Sequence, residues 1–225
     1  MPPVVSGMSI RSELSKFAND IARADGDLAE EAAPFRKTAP VRALSAVSEL
    51  GDQPQLRMIS SALLAVGLLS SNRRLTNAGA RMLIAHELST LAKSFIKHRI
   101  DRTRPRSARS HDQRKLRPGK SRAKEKSSFP SGHSAGAVAV ARAYSREYPE
   151  HRTAALTVAG VIAAAQIPRC AHYMTDVGGG LVVGAAAEAV TNLIWPVSTD
   201  DGLRKSISRA RGDFQPDNRP TSSVD

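Results

Sequence analysis

Three short segments of this chain combine residue types that handle phosphate. The first is Lys97, followed after six residues by Arg104-Pro105. The second is Pro130-Ser131-Gly132-His133, and the third is His172-Tyr173-Met174-Thr175-Asp176. Hydrolysis of a phosphate ester without a metal needs cations on the non-bridging oxygens, because charge stabilisation is usually the largest catalytic term. Lys97 supplies a point charge, and Arg104 a planar fork matching two phosphate oxygens. Backbone N–H groups at a helix start supply further donors. Gly132 lets the backbone approach closely, and the Ser131 hydroxyl adds a hydrogen bond. His172 and Asp176 stand four residues apart, which puts them on one face of a helix. A carboxylate behind an imidazole fixes its tautomer and stabilises the imidazolium. That arrangement makes His172 a nucleophile and leaves His133 as general acid for the departing alkoxide.

Taken singly, each segment is commonplace: a basic loop, a turn with an N-cap, a structural His–Asp pair. Together and in this order they are specific. The chain resembles the type 2 phosphatidic acid phosphatase superfamily, whose signature reads Lys-x6-Arg-Pro, Pro-Ser-Gly-His and Ser-Arg-x5-His-x3-Asp. The resemblance covers roughly residues 41–197 and is nearest to the bacterial lipid-phosphatase branch. It implies that Lys97, Arg104, Ser131 and Gly132 bind phosphate. It also implies that His133 is the general acid, His172 the nucleophile and Asp176 its partner, with no metal or other cofactor. The motif departs at one place: Ala165-Gln166 stand where Ser-Arg is expected. Two expectations follow. Either Arg169, three residues on, restores the missing charge, or Gln166 donates a weaker neutral hydrogen bond.

These segments need helices to position them. Apolar spacing predicts helices over 9–29, 41–50, 55–71, 78–100, 132–148, 153–167 and 177–195, with no convincing alternating strand. The fold class expected is all-α, a bundle of about six core helices that is membrane-embedded. Residues 1–40 read as an N-terminal amphipathic helix (Ile10, Leu14, Phe17, Ile21, Leu28) and a linker punctuated by Pro34 and Pro40. That helix either docks on the bundle or lies in a membrane interface. Asp25-Gly26-Asp27 is expected to weaken its end. Residues 41–197 form the phosphatase bundle, and the polar tail 198–225 is expected to be disordered.

Within the bundle lies a basic loop, 99–128. Residues 99–126 carry twelve Lys/Arg against Asp101, Asp112 and Glu125, most of the chain's net charge of +12. The loop reads either as a solvated segment or as a patch drawn to anionic lipid or phosphorylated substrate. The partners expected are a phosphorylated lipid and a membrane. Aromatics at 4% argue against base-stacking nucleic-acid binding. A single cysteine, Cys170, excludes an intrachain disulfide. The N-terminus lacks the pattern of a cleavable signal.

Mean hydropathy is −0.29, and the apolar stretches are short for membrane spans. A bacterial inner membrane is the expected location. The positive-inside rule places the basic loop in the cytoplasm, whereas the resemblance places it on the opposite side. Rival functions on the same residues are a vanadate-binding haloperoxidase, an acid phosphatase for soluble esters, and a catalytically impaired anionic-lipid-binding protein.

Overall fold

Local signals at the helix starts are plain in the sequence. Pro40 and Pro54 each sit in a first turn, where the missing N–H costs nothing. The Asn72 side chain accepts from the Leu75 N–H at 3.1 Å, and Ser131 caps another helix. In the computed structural model, which describes residues 7–121 and 123–196, these signals resolve into eight helices. They are α1 (Gly7–Ala32), α2 (Ala39–Ser48), α3 (Gln53–Leu69), α4 (Arg73–Lys97), α5 (His111–Arg114), α6 (Gly132–Glu147), α7 (Arg152–Ala164) and α8 (Met174–Ile194). The tail 198–225 lies outside the described residues, as do the side chains of Ile10 and Leu14.

Helix α6 is the central post. Its buried residues are almost all small: Ser134, Ala135, Gly136, Ala137, Ala139, Val140, Ala141 and Ala143. Helices α3, α4, α7 and α8 pack around it. Small side chains allow close helix approach, and the α6–α8 crossing shows this most clearly. A Cβ on Gly184 would stand 2.2 Å from the Ala135 carbonyl oxygen, and one on Gly180 would stand 2.5 Å from that of Ser131. Gly180 and Gly184 therefore seat α8 directly on the α6 backbone.

The α3–α4 turn closes on Ser71, which adopts a left-handed φ of 53°. The Asn72 N–H reaches the Gly67 carbonyl at 2.9 Å, and the Ser71 N–H reaches that of Leu68 at 3.2 Å. This is a Schellman motif with serine where glycine is the usual choice. The result of these connections is that α3, α6 and α8 begin at one end of the bundle, where α4 and α7 finish. All three sequence segments converge there.

The all-α reading holds, with three differences. Helix α1 runs unbroken through Asp25-Gly26-Asp27 to Ala32. Asp25 is buried against Arg102, and a Cβ on Gly26 would lie 2.7 Å from Arg114 Nη1, so tertiary contacts hold a segment of weak local propensity. Among the α1 side chains that the structure describes, Ala22 and Asp25 are buried, whereas Phe17 is 65% exposed. The basic loop carries a small antiparallel ladder, β1 (Ile100–Asp101) with β2 (Arg117–Pro118). Two-residue strands are too short to produce an alternating pattern. Third, the loop is folded onto the bundle and not merely solvated. Arg102 is 2% exposed, and its backbone N–H meets the Lys126 carbonyl at 2.9 Å.

Among the described residues, one helix, α8, is long and apolar enough to cross a membrane. Asp176 lies in its first turn, and its other acid, Glu188, is buried within the helix. Glu188 accepts from Arg146 at 2.7 Å and Arg142 at 3.0 Å.

Candidate active site

The three segments surround one cavity of about 380 Å³ at the helix-start end of the bundle. Its cations are Lys93, Lys97, Arg104, Arg106, Lys124 and Arg169, against the two carboxylates Glu49 and Asp52. Gly132, His133, Gln166 and His172 complete the working wall. So strong an excess of positive charge in a walled cleft selects an anion.

His172 does not sit on a helix with Asp176, as four-residue spacing suggested. It lies in the turn after α7, one residue before Tyr173, the N-cap of α8. Asp176 is the third residue of α8, and its carboxylate accepts from the Tyr173 N–H at 2.9 Å, a capping-box contact. His172 Nδ1 then stands 3.8 Å from Asp176 Oδ2, within electrostatic reach but longer than a hydrogen bond. The pair is built by a helix cap and not by a helix face.

Asp176 is saturated from behind. Ser128 Oγ donates to its Oδ2 at 2.5 Å, and Arg102 Nη1 donates to its Oδ1 at 2.7 Å. Its backbone carbonyl accepts the Ser131 N–H at 2.9 Å, which ties the second segment to the third. With Nδ1 turned toward Asp176, His172 keeps Nε2 for the cavity. Burial drives the imidazole pKa down to about 4, against the upward pull of Asp176. His172 is therefore neutral at physiological pH, the state a nucleophile needs.

Across the cavity, His133 is the second residue of α6, and its Nε2 stands 2.8 Å from Asp52 Oδ1. Lys97, at the end of α4, donates from Nζ to the Ser127 carbonyl at 2.6 Å. Arg104 is braced on the Lys124 carbonyl at 3.0 Å and the Ala171 carbonyl at 3.3 Å. Those carbonyls hold the two side chains in place, and among the described residues neither makes an ion pair with a carboxylate.

Three expected residues are placed differently from their expected roles. Ser131 is fully buried behind Gly132; its hydroxyl receives the Ser134 hydroxyl at 2.9 Å and caps α6, so it is not on the cavity wall. Gln166 reaches the cavity, but its amide nitrogen is committed to the Ile162 carbonyl at 2.9 Å. Arg169 lies beyond the end of α7, so no next helical turn carries it; its Nη1 is hydrogen-bonded to Ser48 Oγ at the cavity edge.

Sequence reasoning missed Arg102, Ser128, Asp25, Asp52 and Lys93. Arg102 is one of twelve loop cations in the sequence, and no local signal separates it from its neighbours. Lys93 lies four residues before Lys97, a spacing that puts both on one helix face. That spacing is the signal that would have found it. Cys170, directly after Arg169, is buried and takes a left-handed φ of 51° in the turn that aims His172.

The family profile of the PAP2 superfamily matches residues 78–200, more than half of the chain. The chain belongs to the PAP2 superfamily. Among solved structures it is similar to a transmembrane PAP2-type phosphatidylglycerolphosphate phosphatase from Bacillus subtilis. The TM-score is 0.60 and the identity 21%, over 81% of this chain and 94% of that one. No curated protein matches the chain.

Proposed function

We propose that this protein is a membrane-embedded phosphatase that hydrolyses a phosphomonoester or pyrophosphate on a lipid, through a phosphohistidine on His172. The observation that carries this reading is the cavity itself. A neutral imidazole, backed by a carboxylate, opposes a second histidine across a space walled by cations.

In this mechanism Lys97, Arg104 and the N-terminal N–H groups of α6 hold the phosphoryl oxygens. His172 Nε2 attacks phosphorus in line, forming a P–N bond as the P–O bond to the lipid breaks. His133 gives its proton to the departing alkoxide. A water then attacks the phosphohistidine, His133 takes a proton from that water, and orthophosphate leaves with His172 neutral again. Asp176 stabilises the positive charge on His172 while the P–N bond exists. Arg169 contributes charge from the cavity edge.

The outer faces of the bundle support a lipid setting. Met58 and Leu69 on α3, Leu91 on α4, and Val182, Leu193 and Ile194 on α8 are each at least 66% exposed. Apolar surface of this extent fits acyl chains. Trp195 follows α8, where an interfacial indole belongs. The Bacillus subtilis phosphatase with the same fold acts on phosphatidylglycerolphosphate, which makes that class of headgroup the first to try.

The test is orthophosphate release from phosphatidate, phosphatidylglycerolphosphate, a polyprenyl pyrophosphate and a soluble aryl phosphate, comparing wild type with His172→Ala. A loss of about 10³-fold or more in the variant is expected on a lipid substrate. Equal rates from both proteins on every substrate would overturn the reading. Preference for the aryl phosphate would favour a soluble-ester phosphatase.

A further inference from the structure

Lys93 is a buried cation in an electrostatically unfavourable place. Its side chain, on α4 one turn before Lys97, is part of a residue only 8% exposed. A Cβ on Gly132 would stand 3.2 Å from Lys93 Nζ and 3.2 Å from its Cδ, so the ammonium group lies against the first residue of α6. The start of a helix carries partial positive charge, and an ammonium placed there is repelled. Among the described residues, no carboxylate comes within the 4.0 Å of an ion pair with it. Burying an unpaired charge is costly, and either loss of the proton or a counter-ion relieves that cost. Lys93 faces the cavity that also holds Lys97, Arg104 and His133.

We infer that Lys93 is a phosphate-binding residue: its ammonium group and the α6 N-terminus together hold one non-bridging oxygen of the substrate. The bound anion relieves at once the repulsion between the lysine and the helix start. This inference rests on the proposed function and deepens it. It also accounts for Gln166. The amide of that residue is turned onto the Ile162 carbonyl and brings no charge, while Lys93 reaches the same cavity from α4. Gly132 has a second role here, because any side chain at that position would press on the lysine stem.

The experiment compares Lys93→Met and Lys93→Arg with wild type and His172→Ala. Lys93→Met removes the charge and keeps most of the stem volume, so the fold tolerates it; melting temperature confirms this. Its kcat/KM is expected to fall by about 10- to 150-fold, the worth of one charge-assisted hydrogen bond. Lys93→Arg is expected to keep most of the activity. Adding Gln166→Arg to Lys93→Met is expected to restore part of it, because the new cation enters the same cavity.

A second arm measures orthophosphate binding by calorimetry, which needs no turnover. Lys93→Met is expected to weaken that binding while melting like wild type. A folded Lys93→Met protein with unchanged kcat/KM and unchanged orthophosphate affinity would overturn the inference. If wild type and His172→Ala are equally inactive, the phosphatase reading fails. The calorimetric arm then still decides Lys93, and unchanged affinity overturns it.

Discussion

Asp25 and Asp176 hold the same guanidinium, that of Arg102, each at 2.7 Å, one from the first helix of the chain and the other from the last described helix. Asp25 belongs to α1, and Asp176 to α8, beside His172. The Thr175 backbone N–H also donates to Asp25, at 3.2 Å. The N-terminal helix is thereby wired to the carboxylate that supports His172, with the Arg102 guanidinium 3.9 Å from the Tyr173 ring centroid.

Removing Asp25 leaves a buried arginine with one carboxylate where it had two. Asp25→Ala is expected to cost about 3 kcal/mol of stability, the scale of a broken buried pair. It is also expected to lower kcat more than it raises KM, because Arg102 then settles wholly on Asp176 and draws charge away from His172. Thermal unfolding and initial-rate kinetics check both. Wild-type kcat in a folded Asp25→Ala protein would show that α1 is only an external brace.

The depressed pKa of His172 sets a pH dependence with a definite sign. An unfolded imidazole titrates near 6.5, whereas the buried one holds out to about 4. Between those values the unfolded chain binds more protons than the folded one. Stability is therefore expected to fall as pH drops from about 6.5 to about 4, with no further loss from this group below that. His172→Gln removes this contribution, so its stability profile is expected to be flatter across the window. The acid limb of kcat/KM due to the nucleophile is expected near pH 4 and not near 6.5. Denaturant titrations and rate profiles over pH 3.5–8 measure the two.

His133 is expected to matter in proportion to how badly the leaving group needs a proton. For an alkoxide leaving group, His133→Ala is expected to cost about 10²- to 10⁴-fold in kcat, the usual worth of general acid catalysis. For a nitrophenolate the cost is expected to be far smaller. An equal loss on both substrates would assign His133 to phosphate binding.

Ser71 occupies a left-handed conformation that glycine adopts without steric cost. Ser71→Gly is expected to stabilise the protein by about 0.5–1 kcal/mol and to leave activity unchanged, since the turn lies at the bundle end away from the cavity. Its chemical-denaturation midpoint tests this directly.

The helices and most of the cavity-lining set are legible in the sequence because both depend on local spacing. Apolar periodicity, the prolines of α2 and α3, and the Pro130-Ser131-Gly132-His133 turn all act within a few residues. Lys97, Arg104, Gly132, His133 and His172 do meet in one cavity. What spacing could not show was how His172 and Asp176 come together. A four-residue gap suits a helix face equally well, and only the position of the α8 cap distinguishes the two.

Tertiary structure alone decided the rest, because those contacts join residues with no common local pattern. Arg102 looks like any other cation of the basic loop until Asp25 and Asp176 close on it across 77 and 74 residues. Ser131 reads as a ligand by motif and becomes a buried cap because α8 lies directly on α6 at Gly180. Spacing puts Lys93 on the same helix face as Lys97, but only packing sets its ammonium group against Gly132. The sequence by itself determined which side chains the site has available. The tertiary structure decided which of them face the cavity, since burial and charge are set by neighbours that sequence distance does not encode.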